Sequence, residues 1–137
     1  RFPTNWKSVH KNLSAFHEME KQGKMRVQVH TTVQIYNVLD IHELFEYTTQ
    51  FGYFPYLNIL NHPDYLNVRV LPDNLKQLAA KRLQPWIKHD KVEGLINYMM
   101  AEDWTKHNKK FVEYTESLDK SRNQSLIDVA PELKEIL

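Results

Sequence analysis

The sequence predicts a mixed α/β fold, with a few-stranded, mostly parallel sheet and a helical C-terminal region. Three observations predict it. Residues 25–34, MRVQVHTTVQ, alternate apolar and polar side chains with the period of a strand. The flanking stretches 5–22 and 40–51 space their apolar residues three and four apart, as helices do, and strands alternating with helices give a parallel sheet. After Pro72 every apolar pattern is helical. The chain therefore divides into an α/β segment, residues 1–72, and a helical segment, residues 73–137, packed on it within what can be one domain.

In 5–22 the inward stripe is Trp6, Val9, Leu13 and Phe16; Thr4 or Asn5 can cap the start, and Gly23 is placed to end it. In 25–34 one face carries Val27, Val29, Thr31 and Val33, and the other Gln28, His30, Thr32 and Gln34. Asp40 and Glu43 have capping-box spacing for the helix over 40–51; Leu44, Phe45 and Thr48 continue its inner face, and Gly52 closes it. YFPYLNIL, residues 53–60, reads as a short strand with Pro55 near its start. NHPDYL, residues 61–66, is turn chemistry, and residues 67–71 read as one more short strand.

Asp73 can cap a helix carrying Leu75, Leu78, Ala79, Leu83 and Trp86, which Pro85 kinks or ends. Asp90 and Glu93 repeat the cap spacing ahead of the stripe Val92, Leu95, Ile96 and Met99. Asp103 can start a helix over 104–121, with Trp104, Phe111, Tyr114, Thr115 and Leu118 inward. A turn is expected at 123–125, and Pro131 suits the first position of a last short helix.

Composition narrows the function classes. The chain's 18 basic and 17 acidic residues leave a net charge of +1, which gives no electrostatic case for nucleic acid or an anionic membrane. No apolar run approaches the roughly 20 residues that span a bilayer. RFPTNWKSVH has no signal-peptide pattern, so a cytoplasmic setting is expected. A first residue of Arg1 fits a fragment or a processed chain. There is no cysteine, which excludes disulfides, thiolate metal sites and cysteine-held iron–sulfur clusters within the chain. Three glycines leave no phosphate-cradling loop and no nucleophile elbow.

Seven histidines raise the question of a metal. His10 and His17 face the same way but stand roughly 10.5 Å apart along a helix axis, too far for one ion. His30 and His62, beside the two strands, could approach one another; no metal site is assigned. His42 and Glu43 lack the second histidine of H-E-x-x-H. Glu18, Glu20, Asp40, Glu43 and Glu46 read as caps and solvated faces. Trp86, Met99, Met100 and Trp104 form an apolar group, read as core or subunit contact. That group is the basis of one functional reading: a non-enzymatic α/β interaction module that binds a protein partner through its C-terminal helices.

The polar row of 25–34 needs a separate explanation, because strands buried on both faces are apolar throughout. Either this is an edge strand with one wet side, or the row faces an enclosed ligand cavity while the aliphatic row packs on helices. In parallel barrels the side chains near the carboxyl ends of strands face the site, which favours Thr32 and Gln34.

RFPTNWKSVHKNLSAF resembles the Arg-x-x-Thr-x-Trp-x-x-Val-x-x-Asn-Leu segment after the fourth strand of radical S-adenosylmethionine enzymes. VQVHTTVQIYNVLDIHELFEYT is similar to their fifth strand and the helix after it, and YLNILNHPDYLNVRVLP to their sixth strand and the stretch ending in Leu-Pro. FVEYTESLDKSRNQSLIDVAPEL resembles the closing segment of the twitch-domain subgroup. The resemblance covers nearly the whole chain and rests on the order and spacing of these segments.

The resemblance implies the C-terminal part of a partial (β/α) barrel. The parent protein would bind S-adenosylmethionine and a 4Fe-4S cluster, cleave the former reductively and generate a substrate radical. The cluster-holding Cys-x-x-x-Cys-x-x-Cys is not in this chain, which would supply one wall of the cofactor and substrate cavity and would not be active alone. Gln28, His30 and Thr32 match interior positions of the family's fifth strand, and Asn58 and Asn61 match the sixth strand and its exit. Gln28, His30, Thr32 and Asn58 are thus the expected cofactor-binding residues; no catalytic residue is assigned. Asn37 matches the Asn beyond the fifth strand, where a turn or helix start is its expected job. Arg1 matches an arginine with no assigned role. The implied partners are the missing N-terminal half of the barrel, a substrate the sequence does not identify, and a second copy of the chain, since a severed barrel exposes sheet edges.

Overall fold

In the computed structural model, which describes residues 4–137 apart from the Asp90 side chain, Asn5 starts the first helix. Its Oδ1 accepts the amides of Lys7 at 3.0 Å and Ser8 at 3.4 Å. Helix α1 spans Trp6–Lys21, and Gly23 ends it with φ 70°, a conformation that favours glycine. The matches proposed for Arg1 lie outside the described residues.

None of the residues of α1 is buried. The expected stripe of Trp6, Val9, Leu13 and Phe16 needs correction, because Trp6 and Phe16 are exposed. The helix instead touches the rest of the chain through Trp6, His10, His17 and Glu20, which share one side of it. His10 Nδ1 lies 2.9 Å from the Tyr47 hydroxyl, and the Trp6 and Tyr47 rings are 4.8 Å apart. His10 and His17, too far apart to share one ion, both serve this docking face.

Strand β1, His30–Val33, pairs in parallel with strand β2, Tyr56–Ile59, and helix α2, Ile41–Thr49, makes the crossover. His30 stands opposite Tyr56, Thr31 opposite Leu57, Thr32 opposite Asn58 and Val33 opposite Ile59. Both strands are shorter than the periodicity predicts. Val33, Ile35 and Leu57 are buried, so the aliphatic row packs on the core as expected.

Asn37 does more than make a turn. Its Oδ1 accepts the Gln34 amide at 2.9 Å, and its Nδ2 donates to the Thr32 carbonyl at 2.9 Å. A neighbouring parallel strand would bond the same two groups on either side of Val33, so this side chain closes the carboxyl end of the outer β1 edge. Asp40 does not form the expected capping box either. Its carboxylate meets Arg82 Nη1 at 3.1 Å, and Arg82 also pairs with Glu132, tying α2 and the C-terminal turn to the third helix. Burial and the nearby Glu132 raise the Asp40 carboxyl, whereas Arg82 lowers that of Glu132.

Residues 67–71 form no strand; Val68–Val70 is a turn of 3-10 helix. The cause is Asn67, which is fully buried. Its Oδ1 accepts the Arg69 amide at 2.9 Å, while its Nδ2 reaches the Leu60 carbonyl and the Tyr98 hydroxyl, each at 2.8 Å. The side chain thereby satisfies local backbone groups that a sheet neighbour would otherwise meet, and the coil turns Val68, Val70 and Leu71 into the core.

Helix α3, Asp73–Leu83, follows Pro72, and Gln84–Trp86 continues as a 3-10 turn around Pro85. Helix α4 spans Asp90–Met100; the capping role expected of the Asp90 side chain lies outside the described residues. Asp103 accepts the Thr105 amide at 2.8 Å and so opens a 3-10 turn, after which helix α5 runs Asn108–Arg122. Asn123, at φ 49°, makes the expected turn, and Pro131 opens a 3-10 turn through Glu135.

One hydrophobic cluster runs from Val33 to Leu133, so the segments on either side of residue 72 share a core. Lys76 is buried within it and donates from Nζ to the Glu102 carbonyl at 2.8 Å, pinning the chain after α4. Among the described residues no helix is long and apolar enough to cross a membrane. Asn67→Ala should lower the unfolding free energy by about 2–3 kcal/mol, because it strands buried partners on three sides; urea denaturation measures this.

Candidate functional site

Alternation puts Gln28, His30, Thr32 and Asn58 on the side of the strand pair that faces away from the core. All four are exposed, and so is Tyr56. The row is therefore polar because it is wet in this chain. The described residues do not enclose the row, since Gln28, His30, Thr32 and Asn58 all stand exposed.

The face is not flat. Where the strands begin, it opens into a cleft of about 500 Å³ lined by Gln28, His30, Tyr53, Phe54, Tyr56 and Lys91, with neighbouring backbone. The structure thus brings Gln28 and His30 together, and His30 and Tyr56 meet in register with ring centroids 5.3 Å apart. Thr32 and Asn58 oppose each other two residues further along, outside the cleft lining. Asn61, past the end of β2, accepts from the Tyr98 hydroxyl at 2.9 Å and belongs to the Asn67 network.

The wall of the cleft is fixed by Glu20 at the end of α1. Its Oε1 accepts the Val27 amide at 2.8 Å, and its Oε2 accepts the Tyr53 hydroxyl. Because the phenol proton points at Glu20, the phenol oxygen accepts from His17 Nδ1, 2.8 Å away. Tyr53 and Val27, one from each strand approach, are thus held by a single carboxylate. The hydrogen bond from Tyr53, then that from Val27, holds the Glu20 carboxyl below its usual range. Partial burial, followed by the bond to Glu20, pushes the Tyr53 phenol up to about 12.

The other candidates go elsewhere. His30 begins β1 while His62 follows the end of β2, so the two lie at opposite ends of the strand pair and do not approach each other; His62 pairs with Asp64 at 3.1 Å. Met99 is buried in the core, and Trp86 and Trp104 are half-buried against it, which leaves Met100 alone exposed. These four residues do not form one surface patch. The guanidinium of Arg69 covers the Tyr98 ring at 3.7 Å, lies 5.4 Å from the centre of the Trp104 ring and pairs with Glu102. Sequence reading missed Tyr56, Lys91 and Tyr53. Tyr56 had a signal, since it shares the parity of Asn58 on β2, but Lys91 comes from a helix that the sequence does not connect to the strands.

This geometry defines a helix-rich α/β protein with a two-stranded parallel sheet whose outer face is polar and open. Comparisons with protein-family models, curated proteins and solved structures find no match to the chain.

Glu20→Gln should let the Tyr53 phenol titrate below about 12, toward the ordinary tyrosine value, as followed by NMR. The folded Glu20 carboxyl is depressed, so its contribution is fully present above the ordinary carboxylate pKa and is lost as pH falls through the lowered value. Protection of the Val27 amide should follow that acid transition in the native chain and be absent at neutral pH in Glu20→Ala, which removes the acceptor that Gln keeps.

Proposed function

We propose that the open polar face of β1 and β2 is one wall of the cofactor and substrate cavity of a radical S-adenosylmethionine enzyme, closed by further polypeptide that carries the cluster-binding cysteines. The observation that carries this reading is the two-sidedness of the strand pair: parallel, joined through a helix, aliphatic toward the helices, and polar on the side where a (β/α) barrel keeps its ligands. The sequence resemblance points the same way.

The chain does not fit the 4Fe-4S cluster, as it has no thiolate, and no step through the cluster is assigned to it. The donor set does fit S-adenosylmethionine. Two amides, an imidazole and a hydroxyl supply uncharged hydrogen-bonding groups for ribose hydroxyls and for the amino-acid end. When bound, that cofactor would supply the radical-initiating group. Gln28, His30, Thr32 and Asn58 would orient it, and Thr32 and Asn58 lie nearest the carboxyl ends of the strands, where barrel sites are built.

The test is the full-length polypeptide that contains this chain, reconstituted with iron and sulfide without oxygen and reduced with dithionite. Cleavage of S-adenosylmethionine to 5′-deoxyadenosine is expected. Thr32→Ala with Asn58→Ala should weaken cofactor binding by about tenfold, a loss of about 1.4 kcal/mol. A full-length sequence without the three-cysteine motif, or unchanged cofactor binding in the double variant, would remove the proposal.

A further inference from the structure

The cleft at the amino ends of the strands lies apart from Thr32 and Asn58, and its chemistry has its own direction. Tyr56 is 52% exposed, although it sits on a strand beside a concave surface. Its ring and the His30 ring lie at 40° to each other, 5.3 Å between centroids, and form two aromatic surfaces on one side of the cleft. Lys91, in the first turn of α4, brings its ammonium to 5.9 Å from the Tyr56 centroid. Gln28 adds an amide that can both donate and accept.

The charge in the cleft has one sign. No carboxylate is among the described residues lining it. Glu20, bonded to the lining Tyr53 and Val27, has both oxygens committed to them. Among the described residues an anion entering the cleft would meet the Lys91 ammonium and no lining carboxylate. The cleft volume, about 500 Å³, suits a small molecule.

We propose that this cleft binds a flat aromatic ring bearing one anionic group, either a phosphate or a carboxylate. The ring lies on Tyr56 and His30, and the anionic group pairs with Lys91, drawing its ammonium off the Tyr56 face. Gln28 and the imidazole supply directional hydrogen bonds at the ring edge. The inference shares Gln28 and His30 with the proposed cofactor wall but needs no cysteine-bearing polypeptide, because every group it uses is in this chain.

Titrating the chain with adenosine 5′-monophosphate and, separately, with benzoate tests it by NMR, with adenosine, benzamide and inorganic phosphate as half-ligands. Saturable shifts at Gln28, His30, Tyr56 and Lys91 are expected with at least one anionic probe, about tenfold tighter than with its half-ligands. Response to the nucleotide alone identifies a nucleotide site, and response to benzoate alone an aromatic-acid site. Lys91→Met should weaken binding about tenfold and Lys91→Arg should largely restore it, while Tyr56→Ala should weaken it with every probe. Both exchanges are at exposed side chains, and circular dichroism confirms that the fold persists. Absence of saturable shifts at these residues with either probe, shifts confined to other surfaces, or affinity unchanged in Lys91→Met would overturn the proposal. Thr32→Ala with Asn58→Ala, the variant that tests the cofactor wall, should leave binding here unchanged, so the two readings fail separately.

Discussion

In this chain the pair of four-residue parallel strands buries only one side, and the packing answers to that constraint. The aliphatic row of Val33, Ile35 and Leu57 needs a cover, and strands this short cannot fold over themselves. Helices provide it. The crossover through α2 brings in Ile41 and Phe45, and α3, α4 and α5 bring Leu75, Ala79, Leu83, Leu95, Met99 and Phe111 to the same cluster. The other face is left to water, and whatever the protein recognises there must work with exposed polar groups rather than a dry interior.

Polar residues then handle the backbone groups that so small a sheet leaves unpaired. Asn37 bonds where a third strand would, Asn67 satisfies the chain leaving β2, and Lys76 holds the carbonyl beyond α4. Each serves a backbone group that would otherwise cost free energy on burial. Arg82, between Asp40 and Glu132, does the equivalent for charge by pairing with both carboxylates, where Glu132 makes Asp40 harder to ionise.

Periodicity made the five α-helices and two strands of the described residues readable, because a stripe of apolar residues records which side of an element is buried. It also placed Gln28, His30 and Thr32 on a common face, since a strand's parity needs no tertiary knowledge. It did not show whether that face was open or closed, because that depends on what packs beyond it. The 3-10 turn at Val68–Val70 was misread as a strand for a related reason: apolar alternation is ambiguous over five residues, and the deciding partners, Leu60 and Tyr98, lie elsewhere in the chain. Trp86, Met99 and Trp104 were legible as core or subunit contact, and they lie in the core or against it. Tyr53 and Glu20 carry no local signal, for their pairing spans 33 positions.

Helix α1 has a consequence of its own. It contributes no buried side chain, so lifting it away uncovers none of the central cluster and costs little more than a few polar and ring contacts. The molecule therefore has a natural order of failure, in which this segment detaches first while the remainder stays folded. Because Glu20 rides on it, detachment also unfastens Val27 and Tyr53, and the beginnings of both strands gain slack together. The first helix works as a clasp whose release loosens the far side of the sheet without melting it.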